Sequence, residues 1–265
     1  LALQIVNPDD AAFIANLPGS AFAFMLLLAR ISAAIMIIPA LGETQIPAMM
    51  RAGIALALTM LLLPALAPQL PPPPADVFHE LLLLGEELLI GVWLGWLARL
   101  LMLSLPIAGQ MISFMTGLAN VLQSDGVNAG QVTALSHLFE IAAPVMIFST
   151  GLYALPLSAL AGSYHAIPPG FALPTGDVAE TVVTAVGQSF SLAFRLAAPF
   201  VLADVTWQVS IGLLSRLVPS LQLFLIAMPG QILGGLLLLA LLGASLIGAW
   251  DDTVRNGLMQ LPGLH

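Results

Sequence analysis

The sequence predicts an all-α, membrane-associated fold of about six long, kinked hydrophobic helices arranged in hairpins. Three observations predict it. Hydrophobic residues make up 59% of the chain and charged residues only 8%, too little polar surface to cover a soluble core of this length. Apolar runs recur at lengths near the ~20 residues needed to cross a hydrocarbon layer about 30 Å thick. Prolines and charges interrupt those runs, as expected of helices that face protein or water rather than acyl chains.

Six runs are expected to be helical, at about 21–41, 52–67, 81–105, 134–161, 182–217 and 221–250. The first gives way to GETQIPAMMR (42–51), which is short and turn-like. The second stops at APQLPPPPAD (67–76), a polyproline II spacer that no helix can cross. The third carries Glu86, Glu87 and Arg99 and leads into GQMISFMTGLANVLQSDGVNAGQ (109–131). That stretch gathers glycines, amides, methionines and one acid, with no basic residue. The fourth run precedes GSYHAIPPGFALPTGDVAE (162–180), a Pro/Gly-rich loop, and the last two meet around Pro219. No linker is long or polar enough to separate two domains and no fixed-period repeat is visible, so 1–265 reads as a single domain.

Composition narrows the function. There is no Lys, and six arginines against fourteen acids leave a net charge of −8. This argues against nucleic acid or an anionic lipid surface as the main partner. The absence of Cys excludes disulfides and thiolate chemistry. Leu1–Ser20 has no basic region ahead of its apolar part, so a cleaved signal peptide is not expected. Charged residues inside the runs are Arg30, Glu86, Glu87, Arg99, Glu140, Arg195 and Asp204, each costing about 2.5–3.5 kcal/mol at a bilayer centre on insertion scales.

Glu87, Gly91 and Gly95 are spaced to share one helix face. There the glycines admit a second backbone and the carboxylate needs a partner. An ordinary packing seam is the plain reading; a proton-relay carboxylate is the sharper one. Arg195, Asp204 and Arg216 lie too far apart along one run to pair with each other, so their partners are expected on other helices or chains. Structural ion pairing is favoured there over ion transport. His137 and Glu140 suit a local hydrogen bond. His79, His137, His165 and His265 are scattered, and no HExxH spacing appears, so no metal site is expected. Neither GxSG, GxGD nor a Walker loop is present. The chain is expected to be no enzyme and to need no cofactor.

Four motifs in order resemble the FliR family, the export-gate component of bacterial flagella, and its injectisome counterpart SctT. They are PALGETQIPAMMRAG (39–53), EELLIGVWLGWLARL (86–100), AGQMISFMTGLA (108–119) and GLLSRLVPSLQLFLIAMP (212–229). Each alone is weak; four in sequence with the right apolar spacing are specific. The chain departs from the family pattern at Ser220, where Gln is common, and at Asp125-Gly126, where many members have Asp-Pro.

The resemblance implies a helical gate built with FliP-like and FliQ-like subunits and a FlhB-like switch protein, passing unfolded export substrates across the bacterial inner membrane at the flagellar basal body. It implies a FliP-like part over about 1–165 and a FliQ-like part over about 180–265. It also implies that the segment after the third motif reaches into the passage and plugs it, through Met111, Phe114, Met115, Gly117, Asn120, Gln123, Asp125, Gly126, Asn128 and Gly130. Soft, largely uncharged side chains suit a seal that must fit many sequences, and Met adapts to irregular neighbours. The plain alternative is an ordinary re-entrant or extramembrane loop. Packing and assembly would fall to Pro39, Gly42, Pro47, Arg51, Glu87, Gly91, Gly95, Arg216, Pro219, Phe224 and Pro229. AMPGQILGG (227–235) looks more like the flagellar branch. Competing readings are an injectisome gate subunit, a small-solute secondary transporter built on Glu86 and Glu87, and a bare helical scaffold.

Overall fold

The structure is a computed structural model that describes residues 8–121, 133–170, 175–217 and 223–264. Every regular element among these residues is helical, which bears out the all-α class. In order they are α1 (Pro8–Ile35), α2 (Ala48–Leu66), a short 3₁₀ turn (Ala67–Gln69), α3 (Val77–Met102), α4 (Ser104–Met115), α5 (Leu118–Val121), α6 (Ala134–Ser149), α7 (Ala154–Ala166), α8 (Thr175–Leu217) and α9 (Leu223–Leu258). Five helical stretches are long and apolar enough to cross a membrane, or six if the bent pair α6–α7 counts as one.

Three boundaries differ from expectation, each for a local reason. The first run is helical only to Ile35, because Pro39 disfavours helical backbone at the residue before it and Ala40 adopts a left-handed φ of 71°. The third run breaks at Leu103. Pro106 lies in the first turn of α4, where its missing N–H costs nothing, but its ring would clash with the carbonyl four residues back if α3 continued. The run 134–161 divides into α6 and α7. Gly151, at φ 75°, closes α6 with a left-handed turn, and Pro156 stands in the first turn of α7. Pro18, Pro64, Pro144, Pro199 and Pro229, by contrast, all sit inside helices.

The chain forms two compact units, interleaved in sequence. The first comprises Leu1–Arg99, Tyr153–Thr181 and Met259–His265; the second comprises Leu100–Leu152 and Val182–Leu258. In the first unit, Leu27, Ile31, Ala34 and Ile35 present one face of α1 to Ala55 of α2, Ile90 and Leu94 of α3, and Leu160 and Tyr164 of α7. The recurring spacing of three and four residues produces that face. Close approach of α3 depends on its glycines. A Cβ on Gly91 would overlap the Arg30 carbonyl, and one on Gly95 would stand 3.0 Å from the Ala34 carbonyl oxygen.

In the second unit α4 packs on α6. A Cβ on Gly109 would meet the Phe139 ring at 2.8 Å and Ser136 Cα at 3.0 Å. The end of α9 is anchored by Trp250, fully buried, whose indole Nε1 donates to Ser104 Oγ at 3.1 Å. One turn apart along α9, Leu246, Trp250, Val254 and Leu258 form its buried row.

Candidate functional site

Two polar centres interrupt this apolar framework, one in each unit. In the first unit Arg30 is wholly buried, and so, to within 1%, is Glu87. The guanidinium meets the carboxylate as a fork: Arg30 Nε donates to Glu87 Oε2 at 2.7 Å and Nη2 to Oε1 at 3.0 Å. Two further hydrogens go to Ser163 Oγ (3.1 Å) and to the carbonyl of Ile167 (3.0 Å), the residue that caps α7. Tyr164 lies beneath, its ring centroid 4.2 Å from Arg30 Cζ, and its hydroxyl donates to the Leu27 carbonyl at 3.3 Å. The planar five-donor geometry of Arg allows one side chain to join α1, α3 and α7 in this way. Arg99 makes a looser clasp on the turn after α1, donating to the Ile37 carbonyl (3.3 Å) and reaching Glu43 Oε2 at 3.4 Å.

In the second unit the polar groups gather at the foot of the segment that follows α4. Thr116 caps α4, and Gly117 takes the left-handed turn at φ 74° that releases the chain. A helix leaves its last four carbonyls without intrahelical donors. That of Met115 accepts from Gln231 Nε2 on α9 at 2.9 Å. The same nitrogen donates to Asp204 Oδ1 on α8, also at 2.9 Å, so one amide joins three helices. At the far end of the segment Gln110 Oε1 accepts from both the backbone N–H and the hydroxyl of Thr133, each at 3.1 Å. Thr133 in turn caps α6 by accepting from the Ser136 N–H at 3.3 Å, and Ser136 Oγ donates to the Pro106 carbonyl at 2.9 Å. Two glutamines thus hold the two ends.

Of the residues expected to form the plug, Phe114 is 56% exposed, and Met111, Met115 and Gly117 are partly buried near the end of α4. Gln123, Asp125, Gly126, Asn128, Gly130 and Pro219 lie outside the described residues, as do the side chains of Asn120 and Phe224. Among the assembly residues, Pro39 and Gly42 are buried in the turn after α1, Pro47 opens α2, and Arg51 Nη1 reaches the Gly42 carbonyl at 3.5 Å. Glu87, Gly91 and Gly95 line the α1–α3 contact, Pro229 lies within α9, and Arg216 is exposed on α8. The charges of α8 meet no opposite charge among the described residues. Asp204 accepts from the neutral amides Gln231 and, at 3.4 Å, Gln208, and neither Arg195 nor Arg216 makes an ion pair among the described residues. His137 and Glu140 do meet, at 3.3 Å on an exposed face.

Sequence reasoning passed over Gln110, Thr133, Ser163, Tyr164 and Gln231. Thr133 carried a legible signal, a hydroxyl residue immediately before an apolar helix. Gln231 is an amide inside an apolar run, and an uncharged side chain there carries no mark of its partners.

The family described as bacterial export proteins, family 1, matches residues 21–257. The chain belongs to that family. The relatives below span most of its length. It is 33% identical to the flagellar biosynthetic protein FliR of Caulobacter vibrioides, over 87% of this chain and 92% of the relative. To the FliR of Bacillus subtilis it is 29% identical, over 79% and 82%. With the Yop proteins translocation protein T of Yersinia pestis the identity is 32%, over 78% and 80%. Together with the apolar helices, family membership makes this export protein a membrane protein.

Proposed function

We propose that the chain is a structural subunit of the bacterial flagellar type III protein export gate, forming part of the conduit for unfolded flagellar proteins and of its plug. Most support comes from near-full-length similarity to proteins named FliR, with Yop proteins translocation protein T as the injectisome-side relative. The observation on this chain that carries the plug is the stem of the segment between α4 and α6. It is pinned at both ends by amide side chains and begins at a left-handed glycine. Such a stem holds its ends in register while the residues between them are free of any charge except Asp125.

In this reading the subunit sits in the inner membrane at the flagellar basal body. Its partners are FliP-like and FliQ-like subunits and a FlhB-like switch protein, with about 1–165 taking the FliP-like part and about 180–265 the FliQ-like part. The work of transport comes from partners, and the subunit itself catalyses nothing. The injectisome gate is the second reading, favoured by the Yersinia relative. A small-solute transporter is not favoured: Glu87, its best carboxylate, is fully engaged by Arg30.

Deleting residues 117–130 is expected to leave assembled gates that conduct ions while wild-type gates stay closed, measured as conductance across membranes containing them. Deleted gates as tight as wild type would remove the plug assignment.

A further inference from the structure

A cavity of about 190 Å³ opens in the second unit where the end of α4 meets α8 and α9, lined among others by Thr116, Phe200, Asp204, Trp207, Gln231 and Leu238. We propose that this cavity is a socket for one basic side chain, Lys or Arg, of a neighbouring polypeptide, with Asp204 as its counter-charge. The proposal rests on reading the chain as a subunit of an assembly; it needs neither the plug nor the flagellar branch.

Three observations carry it. First, this chain supplies no cation to Asp204. It has no Lys, all six arginines lie among the described residues, and no ion pair among those residues includes Asp204. Asp204 nevertheless stands on an apolar helix long enough to cross a membrane, where an acid is expected to find a partner or water. Second, the acceptors that a cation needs are open. Gln231 and Gln208 both donate to Oδ1 of Asp204. Among the described residues nothing donates to Oδ2, nor to Gln231 Oε1, since that amide bonds through its nitrogen. Carboxylate and amide oxygens at one wall of a cavity call for N–H donors.

Third, the remaining lining fits the body of such a side chain. Lys and Arg lay a methylene stem along apolar surface and keep the charged head at polar groups, and a cation is drawn to the face of a Trp ring. Phe200 and Leu238 supply apolar wall and Trp207 supplies the ring. That ring is backed by α9 at Gly230, where a Cβ would stand 3.0 Å from it.

Size and charge select the occupant. Pockets for small molecules typically hold about 300–1,000 Å³, more than this cavity offers, and a single side chain suits it better. A phospholipid would bring a phosphate with its ammonium, and no Lys or Arg lines the cavity to receive it. A second copy of this chain would bring the same net charge of −8, whereas complementary potentials favour a partner richer in bases. Leu202, Val205, Leu233 and Leu237, chain neighbours of the lining residues, are exposed and give the rest of that partner an apolar surface to lie on.

The test uses the assembled complex in native membranes. With p-benzoylphenylalanine in place of Leu238, or of Ala203 where the first variant fails to assemble, illumination is expected to join the cavity to another subunit, at a peptide that carries Lys or Arg beside the point of attachment. Asp204→Lys should reduce that adduct at least about tenfold, the scale expected when one partner of a desolvated charge pair is lost. Asp204→Glu, which keeps the charge, should keep the adduct, and replacing the mapped base by Asp should restore it in the Asp204→Lys background. An adduct with phospholipid, with another copy of this chain, or with a peptide whose yield Asp204→Lys leaves unchanged overturns the socket, as does an intact complex that yields no adduct. Those results leave the assembly reading standing. A wild-type chain recovered alone removes that reading and the socket with it.

Discussion

The Arg30–Glu87 centre and the Asp204–Gln231 centre solve one problem in opposite ways. Each places a carboxylate on an apolar helix long enough to cross a membrane. In the first unit the acid is enclosed and fork-bonded by a guanidinium that also donates to Ser163 and to the Ile167 carbonyl. In the second the acid is partly exposed, met among the described residues by neutral amides, and bordered by a cavity. Charge compensation with full enclosure gives a joint that cannot yield without leaving a bare ion. Hydrogen bonding beside empty space gives one that can. The difference teaches where this subunit is built to be rigid and where it is built to give.

The comparison can be broken by removing one charge from each centre. Glu87→Leu strands a buried guanidinium and is expected to destabilise the purified protein by about 3–5 kcal/mol, the cost of breaking a buried pair from one side. Arg30→Met combined with Glu87→Leu should recover much of that loss, because no bare ion remains. Asp204→Asn keeps an acceptor for Gln231 and should cost less than about 1 kcal/mol. Thermal unfolding in detergent would rank the three, and a Glu87 variant as stable as the Asp204 variant would erase the distinction. A smaller effect sharpens the picture at the far end of the plug segment. Thr133→Ala removes the cap of α6 and is expected to cost about 1 kcal/mol, seen as faster hydrogen exchange in the first turn of α6 with the rest of that helix unchanged.

How much of this was legible in the sequence depended on the range of the interaction. Composition and run length were enough for the helical, membrane-associated class, because they reflect the solvent and nothing about pairing. The four-residue spacing of Glu87, Gly91 and Gly95 placed them on one face, since helical geometry is local. The partner of Glu87 was not legible: Arg30 lies 57 residues away, and its other acceptors, Ser163 and Ile167, lie more than 130 residues from it. The bend at residues 150–153 had its marks in Gly151 and Pro156, but continuous hydrophobicity on both sides concealed them. Gln110 and Gln231 were the hardest to find, because an amide carries no charge to flag it and its role exists only once three helices have converged.

The widest surfaces of the chain show what the account most needs tested. Within the candidate span Ala227–Leu258 none of the most apolar window is buried by the described residues, and in α2 only 17% is, so these residues leave most of that apolar surface uncovered. The central claim is that other polypeptides of a conduit cover it. Gentle solubilisation of native membranes, with affinity capture of the tagged chain, tests this most directly. The account predicts recovery of a complex in fixed proportion with FliP-like and FliQ-like subunits. Recovery of the chain alone, as a monomer surrounded by lipid, would contradict it.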